Sequence, residues 1–369
     1  MAGFESSCHR RKDRRRLDVL CSTRHDELAE SDYRALQSLG ISTVRDGLRW
    51  HLIERAPRQY DWSSFIPMLH AARRTGTEVI WDLCHYGWPD DIDVFQPEFV
   101  DRFRAFAGSF ARLMRDEGAA APFVCPVNEI NFLAWNGGEV GHINPWEKTR
   151  ADDLKRQLVR AAIAATEAVL DVLPAARIAH CEPAIHIFPR NPAEGPAVAA
   201  YVEAQYQAWD MIGGYLWPEL GGKPEYLDLI GVNFYPINEW LHHGRPVFPG
   251  DPLYKPFSEI LGKIHERYNR PVFVAETGIE GEKRVEWMSF ISDEVRTALS
   301  SGVPVQGLCW YPILDYPGWD DDRHCSNGVL SYADAAGHRQ WDARLREQMV
   351  HQQALFEPLM RPQLAAQTG

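Results

Sequence analysis

Several polar residues stand at, within or just beyond the ends of short apolar runs along the chain. Two of them are glutamates, Glu129 and Glu276. A carboxyl group in such a place can transfer protons or attack as a nucleophile, although it can also cap a helix or pair with a cation. Their significance depends on whether the fold brings them together. The other residues of this kind are Arg45, His85, Asn128, Asn233, Tyr235, Trp310, Asp315 and Trp319.

The apolar runs that carry these residues have the length and composition of buried β-strands. Each is almost continuously apolar, as expected for a strand that is covered on both faces. Segments with helical spacing of apolar residues lie between them. The predicted strands begin near Ala2, Ser42, Glu78, Pro122, Arg177, Leu227, Pro271 and Val305.

The helical segments carry start and stop signals of their own. Asp61 can cap a helix that ends near Gly76, and Pro97 suits the first turn of a helix that Gly118 closes. The remaining helices are predicted over residues 150–173, 196–213, 253–268 and 285–301, with a last one from about Trp341 to Leu359.

Strands and helices in this alternation predict an α/β protein that folds as a single (β/α)8 TIM barrel over residues 1–360, with residues 361–369 as a flexible tail. A doubly wound sheet is the alternative, but it would normally carry a glycine-rich turn after the first strand, and the segment after Ser7 has none. In a barrel the carboxyl ends of all strands form one rim, which is where the polar residues fall.

The composition of the chain argues against several classes of binding partner. The chain has 369 residues and a net charge of -12, which argues against binding to nucleic acid or to an anionic membrane. No apolar stretch has the length of a membrane span, and no signal peptide is visible. The seven cysteines contain no C-x-x-C pair, and we interpret them as small core residues in a reducing compartment, which predicts a cytoplasmic location.

Two charged runs stand out. Residues 10–16 (RRKDRRR) are predicted to be a solvated loop, with anion binding as the alternative. Asp320, Asp321 and Asp322 precede His324, but no metal-binding motif supports them, so we expect neither a metal nor another cofactor.

Placed on the predicted strands, these residues resemble the glycoside hydrolases of the large barrel clan that carry two carboxylates on strands four and seven. Within that clan the sequence is most similar to family 1, the β-glucosidase family. The matching segments cover nearly the whole chain and are RDGLRW from Arg45, CHYGWP around His85, Asn128–Glu129, GVNFYP, AETG and CWYPILDYPGW.

The resemblance implies a retaining β-glycosidase whose binding partner is a carbohydrate, either a β-linked glycoside or a short oligosaccharide. Glu276 would be the nucleophile, Glu129 the acid/base, and Arg45 and Tyr235 would keep Glu276 ionised. Trp310 would offer its face to the sugar. The substrate-binding set implied in this way is Arg45, His85, Asn128, Asn233, Tyr235, Trp310, Asp315, Trp319 and His9.

The chain also departs from the family pattern. Ile130 replaces the proline after the acid/base, and Ala275 and Thr277 replace the residues beside the nucleophile. The family's sugar-binding glutamine near the end of strand one is absent, with His9 closest, and Gly318 replaces its sugar-binding glutamate. The resemblance therefore implies a glycosidase without naming its sugar.

Three other functions are alternatives to a β-glucosidase-like hydrolase. A clan relative could act on xylosides, galactosides, mannosides or a short oligosaccharide, or could transfer the glycosyl group to another acceptor. The barrel could also bind a carbohydrate or a partner without turning it over. An isomerase or aldolase is last, because such barrels typically use a phosphate loop or a Schiff-base lysine, and no predicted strand ends in lysine. The acidic run at 320–322 would disfavour a phosphorylated sugar, since like charges repel.

Overall fold

Eight short parallel strands form a closed barrel in the computed structural model, which describes the backbone of residues 1–367 and the side chains of residues 1–359. Each strand pairs with its neighbours in sequence, and the first pairs with the last. The predicted barrel is therefore confirmed and the doubly wound sheet is excluded. The strands are β1 (Ala2–Gly3), β2 (Thr43–Gly47), β3 (Glu78–Asp82), β4 (Phe123–Cys125), β5 (Arg177–Pro183), β6 (Leu229–Asn233), β7 (Val272–Thr277) and β8 (Val305–Trp310).

Helices follow the strands and cover the outside of the barrel. Gly76 ends the second of them with φ at 67°, a left-handed conformation that favours glycine. The segment predicted as one helix over 196–213 contains two helices, joined by a 3-10 turn. The longer helices are α1 (His25–Ser38), α2 (Ile66–Thr75), α3 (Pro97–Asp116), α4 (Ala151–Val172), α5 (Gly195–Glu203), α6 (Gln207–Ile212), α7 (Phe257–Tyr268), α8 (Arg284–Ser300) and α9 (Ala343–Gln367).

The last helix extends beyond its predicted end near Leu359. Helical backbone continues to Gln367, through most of the segment for which we predict a flexible tail. Residues 368–369 of that predicted tail lie outside the described part of the chain.

Apolar side chains fill the barrel beneath the polar ends of the strands. Alternate residues of a strand point inward, while those between them pack against the helices. The inward-facing residues form a small cluster of their own, so the polar rim lies on a closed apolar floor. The cluster consists of Ile80, Cys125, Ala179, Cys181, Leu229, Phe273 and Ala275.

Strand β7 departs from this alternation at its carboxyl end. Phe273 and Ala275 belong to the interior cluster, so strict alternation would turn Glu276 outward. The pairing of β7 with β6 shifts register between Val274 and Glu276, which marks a bulge. A bulge changes the direction of the side chains that follow it, and Glu276 thereby faces inward, where it contacts Arg45.

Several short helices and two-stranded ribbons lie between the longer elements. A helix at Ile130–Trp135 directly follows Glu129 and continues into a π-helical turn at Asn136–Val140. No helix within residues 1–367 combines the length and the apolar character that a membrane span requires. The other short elements are helices at Val19–Ser22 and Trp50–Ile53 and two-stranded ribbons pairing Glu54–Ala56 with Gln59–Tyr60, His186–Phe188 with Glu239–Leu241, and Tyr316–Pro317 with His324–Cys325.

Candidate active site

Glu276 lies on the inner side of the rim, only 4% exposed. One carboxylate oxygen, Oε1, accepts a hydrogen bond from Arg45 Nη1 at 2.9 Å. The other, Oε2, accepts from the Tyr235 hydroxyl, also at 2.9 Å. A buried guanidinium beside a carboxylate favours its ionised form, so these contacts suit a group that must carry negative charge.

Arg45 connects Glu276 to the strands on the other side of the rim. Its guanidinium is fully buried. Besides Glu276, it donates to Asp82 Oδ2 at 2.7 Å, Asn128 Oδ1 at 3.0 Å and the Ala275 carbonyl at 3.1 Å. Two carboxylates therefore surround one buried cation, and the network joins the ends of β2, β3 and β7 with the residues that follow β4.

Glu129, which is 7% exposed, has neutral neighbours instead of a cation. The Tyr86 hydroxyl donates to its Oε2, and Asn233 Nδ2 donates to its Oε1 at 2.8 Å. Both donors stabilise a carboxylate less strongly than a guanidinium would. The surroundings of Glu129 therefore allow this carboxyl to gain and lose a proton.

Burial is the main cause that raises the pKa of Glu129 to about 7, and the charge of Glu276 raises it further. Hydrogen bonds from Tyr86 and Asn233 act in the opposite direction but do not cancel the rise. A carboxyl with such a pKa is protonated in a large fraction of molecules near neutral pH, which a general acid requires.

Asn233 shows how close the two carboxylates come. It pairs with Glu276 across the β6–β7 ladder and donates its side-chain amide to Glu129. One residue thus connects both groups, and the Coulomb effect of Glu276 on the pKa of Glu129 agrees with that proximity.

The backbone at Glu129 is strained. Its φ is 48°, in the left-handed region that few residues other than glycine adopt, and Tyr86, its hydrogen-bond partner, has a φ of 68°. Such conformations cost of order 1–3 kcal/mol and concentrate at functional sites. The two side chains meet at the rim, where the Tyr86 hydroxyl donates to Glu129.

Glu182, near the end of β5, holds the segment after Glu129 in place. It is buried, and its two oxygens accept the backbone N–H groups of Ile130 at 2.7 Å and Asn131 at 2.9 Å. These are the first residues of the helix that follows Glu129. Burial raises the pKa of Glu182 to about 8, although both hydrogen bonds lower it.

His85 and Asn128 form a second polar group beside the carboxylates. His85 Nδ1 lies 3.1 Å from Asp82 Oδ2, and its Nε2 lies 3.2 Å from Asn128 Nδ2. Burial alone would lower the pKa of His85, but Asp82 and the charges of Glu5 and Glu276 raise it above its ordinary value. This group offers hydrogen-bonding atoms next to Glu276 and Glu129.

Trp310 does not belong to this group, which corrects the expectation that it faces the sugar. It pairs in register with Thr277, whose hydroxyl accepts a hydrogen bond from Trp287 on α8. Paired residues of neighbouring strands face the same side, so Trp310 points into the helix layer, where its Nε1 donates to the Asn327 carbonyl at 3.0 Å.

Tyr311, one residue later, faces the site instead. Its ring stacks on His85 with the centroids 6.1 Å apart, and the Arg45 guanidinium lies 5.5 Å from the ring centroid. Counting the alternation from inward-facing Cys309 would have identified it, because Cys309 and Tyr311 lie on the same side of the strand.

His9 and Trp319 form an aromatic wall next to Tyr86. The ring centroid of His9 lies 4.7 Å from that of Trp319 and 6.1 Å from that of Tyr86. Burial lowers the pKa of His9 to about 3, so its ring is neutral. Neither ring nitrogen of His9 has a hydrogen-bond partner among the described residues.

Asp315 forms its contacts within the loop after β8. Its Oδ1 accepts the backbone N–H of Gly328 at 2.9 Å, and its Oδ2 lies 3.0 Å from His324 Nε2. Both oxygens are occupied within this loop, so the structure does not bring Asp315 into the group around Glu129 and Glu276.

An aromatic strip leads from Glu129 to the surface. We define it as Tyr86, Trp319, Phe132 and Trp135. Phe132 lies 5.6 Å from Tyr86 and 6.1 Å from Trp319 between ring centroids, and Trp135 lies 5.9 Å from Phe132. Trp135 is 47% exposed, so the strip runs from the partner of Glu129 to solvent.

Ion pairs compensate part of the charge of the two charged runs. Arg10 and Arg16 pair with Asp90, and Arg11 and Arg15 pair with Asp322. The basic run is thus an ion-paired loop, and the acidic run is partly compensated, which weakens the repulsion on which the argument against a phosphorylated sugar depends. No group of three or more potential metal ligands occurs among the described residues.

Sequence reasoning missed four polar residues at the rim. Glu182 and Asp82 end predicted strands and meet the criterion that selects Glu129, while Tyr86 directly follows His85. Glu5 lies in the first predicted strand segment, two residues after β1, and its side chain is 9% exposed. Applying the strand-end criterion to every strand would have found Glu182, Asp82 and Glu5.

No protein-family model and no curated protein sequence matches the chain. Solved structures do match. A β-glucosidase from Thermotoga maritima in complex with glucoimidazole aligns with a TM-score of 0.73 at 17% identity, over 89% of this chain and 86% of that one. A hyperthermophilic β-glucosidase mutant that is dodecameric in its crystal form gives 0.74 at 15% identity, over 89% and 88%.

A further match is the family 1 β-glucosidase of Thermotoga maritima, with a TM-score of 0.72 at 16% identity over 89% of this chain and 86% of that one. At such identities the likeness establishes a shared fold. The chain therefore has the barrel fold of the family 1 β-glucosidases.

Proposed function

We propose that this protein is a retaining β-glycosidase in which Glu276 is the nucleophile and Glu129 the acid/base. The observation that carries the proposal is the pair of buried carboxyls on one rim, one beside a guanidinium and the other beside neutral donors with its pKa raised to about 7. Retaining glycosidases need this combination of an ionised and a protonated carboxyl on either side of the scissile bond.

In the first step Glu276 attacks the anomeric carbon while Glu129 gives its proton to the leaving oxygen. The bond between that oxygen and the anomeric carbon breaks, and a glycosyl ester forms on Glu276. The ester is neutral, so the Coulomb effect that raises the pKa of Glu129 disappears. Glu129 then takes a proton from water, the water oxygen attacks the anomeric carbon, and Glu276 leaves.

The polar side chains around Arg45 support the proposal that the sugar binds on their side of the two carboxyls. Asn128 and His85 lie next to both carboxyls and offer hydrogen-bonding atoms for sugar hydroxyls. Asn233 would act in positioning Glu129, since its amide is already used there. Tyr311 replaces Trp310 in this proposal as the ring that borders the sugar.

The test uses 2,4-dinitrophenyl 2-deoxy-2-fluoro-β-D-glucoside and its galactose, mannose and xylose counterparts. The fluorine slows both steps, and the good leaving group restores only the first, so the glycosyl ester accumulates. We expect mass spectrometry of a proteolytic digest to find the label on the peptide that contains Glu276. Glu276→Gln should remain unlabelled, whereas Glu129→Gln should still be labelled, because this leaving group needs no proton.

Proton NMR of the first-formed product adds the stereochemical check, and we expect the β-anomer. A label on another residue, or an α-anomer as first product, would contradict the mechanism. Sugar binding without turnover of any glycoside would instead support a non-catalytic barrel, and transfer to an added sugar acceptor in preference to water would support a transglycosidase.

We also propose a cytoplasmic location. All seven cysteines are unpaired, and Cys84, Cys125, Cys181 and Cys309 are buried as expected for small core residues. Free cysteines in this number are typical of proteins in a reducing compartment. Fractionation of the source cells, followed by detection of the protein with an antibody, tests this location.

A further inference from the structure

Glu5 brings a third carboxylate to the rim that the mechanism does not use. Its side chain is 9% exposed. Oε1 accepts the backbone N–H of Ser7 at 3.0 Å. Oε2 has no hydrogen-bond partner among the described residues, and it is not one of their fully enclosed polar atoms. Glu5 therefore presents one unused acceptor oxygen from an otherwise buried carboxylate.

The neighbours of Glu5 place its carboxylate on the sugar side of the site. Glu5 Oε1 lies 3.6 Å from His85 Nε2, the nitrogen that also faces the Asn128 amide. Burial raises the pKa of Glu5, His85 lowers it, and the charge of Glu276 raises it again. Glu5 is thus close enough to the reacting groups to meet the same ligand.

The charges around this ligand position do not balance. When Glu5 is ionised, three carboxylates, Glu5, Asp82 and Glu276, share two cationic side chains, Arg45 and His85. The pKa of Glu5 is raised, mainly by burial, so this charge appears only above the usual range of a glutamate. Glu129 carries a proton before the first step. With His85 protonated, one negative charge remains uncompensated, and buried charges of like sign repel strongly because little water screens them.

We propose that Glu5 determines the specificity of this site: its open oxygen accepts hydrogen bonds from glycone hydroxyls, and its charge excludes a glycone that is itself anionic. This inference rests on the proposed glycosidase function. The excluded class comprises uronides and sugar phosphates, which would bring a negative charge against a carboxylate that is already in excess. Specificity obtained by repulsion of the wrong ligand is common in binding sites.

Matched substrates test the proposal. Of 4-nitrophenyl β-D-glucoside and β-D-galactoside, the faster one for the wild type is compared with the uronide of the same configuration, which differs only in a carboxylate at C6. We expect kcat/KM of the wild type for the neutral substrate to exceed that for the uronide by at least about 100-fold, since like-charge contacts cost several kcal/mol.

Glu5→Gln keeps the shape of the side chain and removes its charge. We expect it to reduce kcat/KM for the neutral substrate by about tenfold, because one charged hydrogen bond is weakened. It should also reduce the ratio of neutral substrate to uronide by tenfold or more. If Glu5 only supports His85, both substrates must lose activity equally and the ratio must stay constant, which would overturn the proposal.

The control is Glu139→Gln, which removes a charge from an exposed position near the same rim. It should leave both kcat/KM values unchanged, whereas a change of the ratio equal to that of Glu5→Gln would make the effect a general one of net charge and overturn the proposal. Comparable turnover of both substrates by the wild type would overturn it too. Failure of the wild type on every glycoside would instead refute the glycosidase function itself.

Discussion

Glu129 and Glu276 lie on the same rim of the barrel, yet the chain surrounds them with different groups. Glu276 lies on a regular strand that a bulge redirects, beside a buried guanidinium. Glu129 lies just after its strand on strained backbone, beside a phenol and an amide, with its helix held by Glu182. The same side chain thus lies beside a buried cation in one region and beside neutral donors, with a raised pKa, in the other.

The difference shows how position within the fold decides what a carboxyl can do. The buried guanidinium of Arg45 needs several acceptors, which the ends of β3 and β7 and the segment after β4 supply. Glu129, beyond the strand end, is contacted only by the neutral donors Tyr86 and Asn233 among the hydrogen-bonding side chains that the structure describes. If this comparison is correct, substitutions on the two sides must have different consequences.

Removing each carboxyl gives the largest expected effect. Glu129→Gln should lower kcat/KM for a methyl glycoside by roughly 10²–10⁴-fold, the usual contribution of acid–base help. The value of kcat/KM for a dinitrophenyl glycoside should fall much less, because dinitrophenol needs no proton to leave. Glu276→Gln should lose more activity than Glu129→Gln on both substrates, and equal dependence of the two variants on the leaving group would break the comparison.

Removing the Arg45 side chain should mainly lower the free energy of unfolding. Arg45→Met leaves Asp82 and Glu276 buried without their cation, and breaking a buried ion pair in this way costs about 3–5 kcal/mol. Urea unfolding measures the loss. The control is Arg323→Met, which breaks the exposed pair with Glu280 and should cost at most about 1 kcal/mol. Similar losses in both variants would show that Arg45 does not stabilise the Glu276 side.

Removing the Tyr86 hydroxyl should shift the pH dependence. The hydroxyl lowers the pKa of Glu129 because it stabilises the carboxylate. Tyr86→Phe therefore raises that pKa, so the fall of kcat/KM on the alkaline side, expected near pH 7 in the wild type, moves to higher pH. The rate below this fall should drop by up to about tenfold, since one hydrogen bond is lost. A shift to lower pH would contradict the assignment.

Shortening the aromatic strip should have the smallest effect. In the proposed mechanism the leaving group departs on the side of Glu129, so a flat apolar leaving group can lie against Trp135. Trp135→Ala should raise KM for an extended aryl glycoside about 2–10-fold, as expected for one aromatic contact. A glycosyl fluoride, which lacks such a group, should be unaffected. Tyr215→Ala, which removes an exposed ring from the α6–β6 connection, is the control.

The fold could be predicted from the sequence because buried strands and amphipathic helices leave clear local patterns. The runs at Glu78, Arg177 and Val305 begin at the residues where the strands begin. Helix ends are less certain: the backbone of α9 stays helical past Leu359 although Pro358 and Pro362, which usually signal the end of a helix, lie beside it.

Side-chain direction at the rim could be predicted only in part. Arg45 and Asn233 follow regular alternation, but Glu276 faces inward only because a bulge shifts the register, and bulges leave little trace in sequence. For Trp310 the error was one residue, which is sufficient to reverse the facing of a side chain in a strand. Contacts between distant loops, such as Arg11 with Asp322, have no local signal at all.

The arginines of residues 10–16 connect the loop after β1 to the loops after β3 and β8. Their partners Asp90 and Asp322 are about half exposed, so dissolved ions weaken these links, while the buried network of Arg45 is screened much less. We therefore expect the loops after β1, β3 and β8 to be held together less firmly in concentrated salt than in dilute buffer. In the proposed enzyme we therefore expect ionic strength to change substrate binding and product release more than the chemical step.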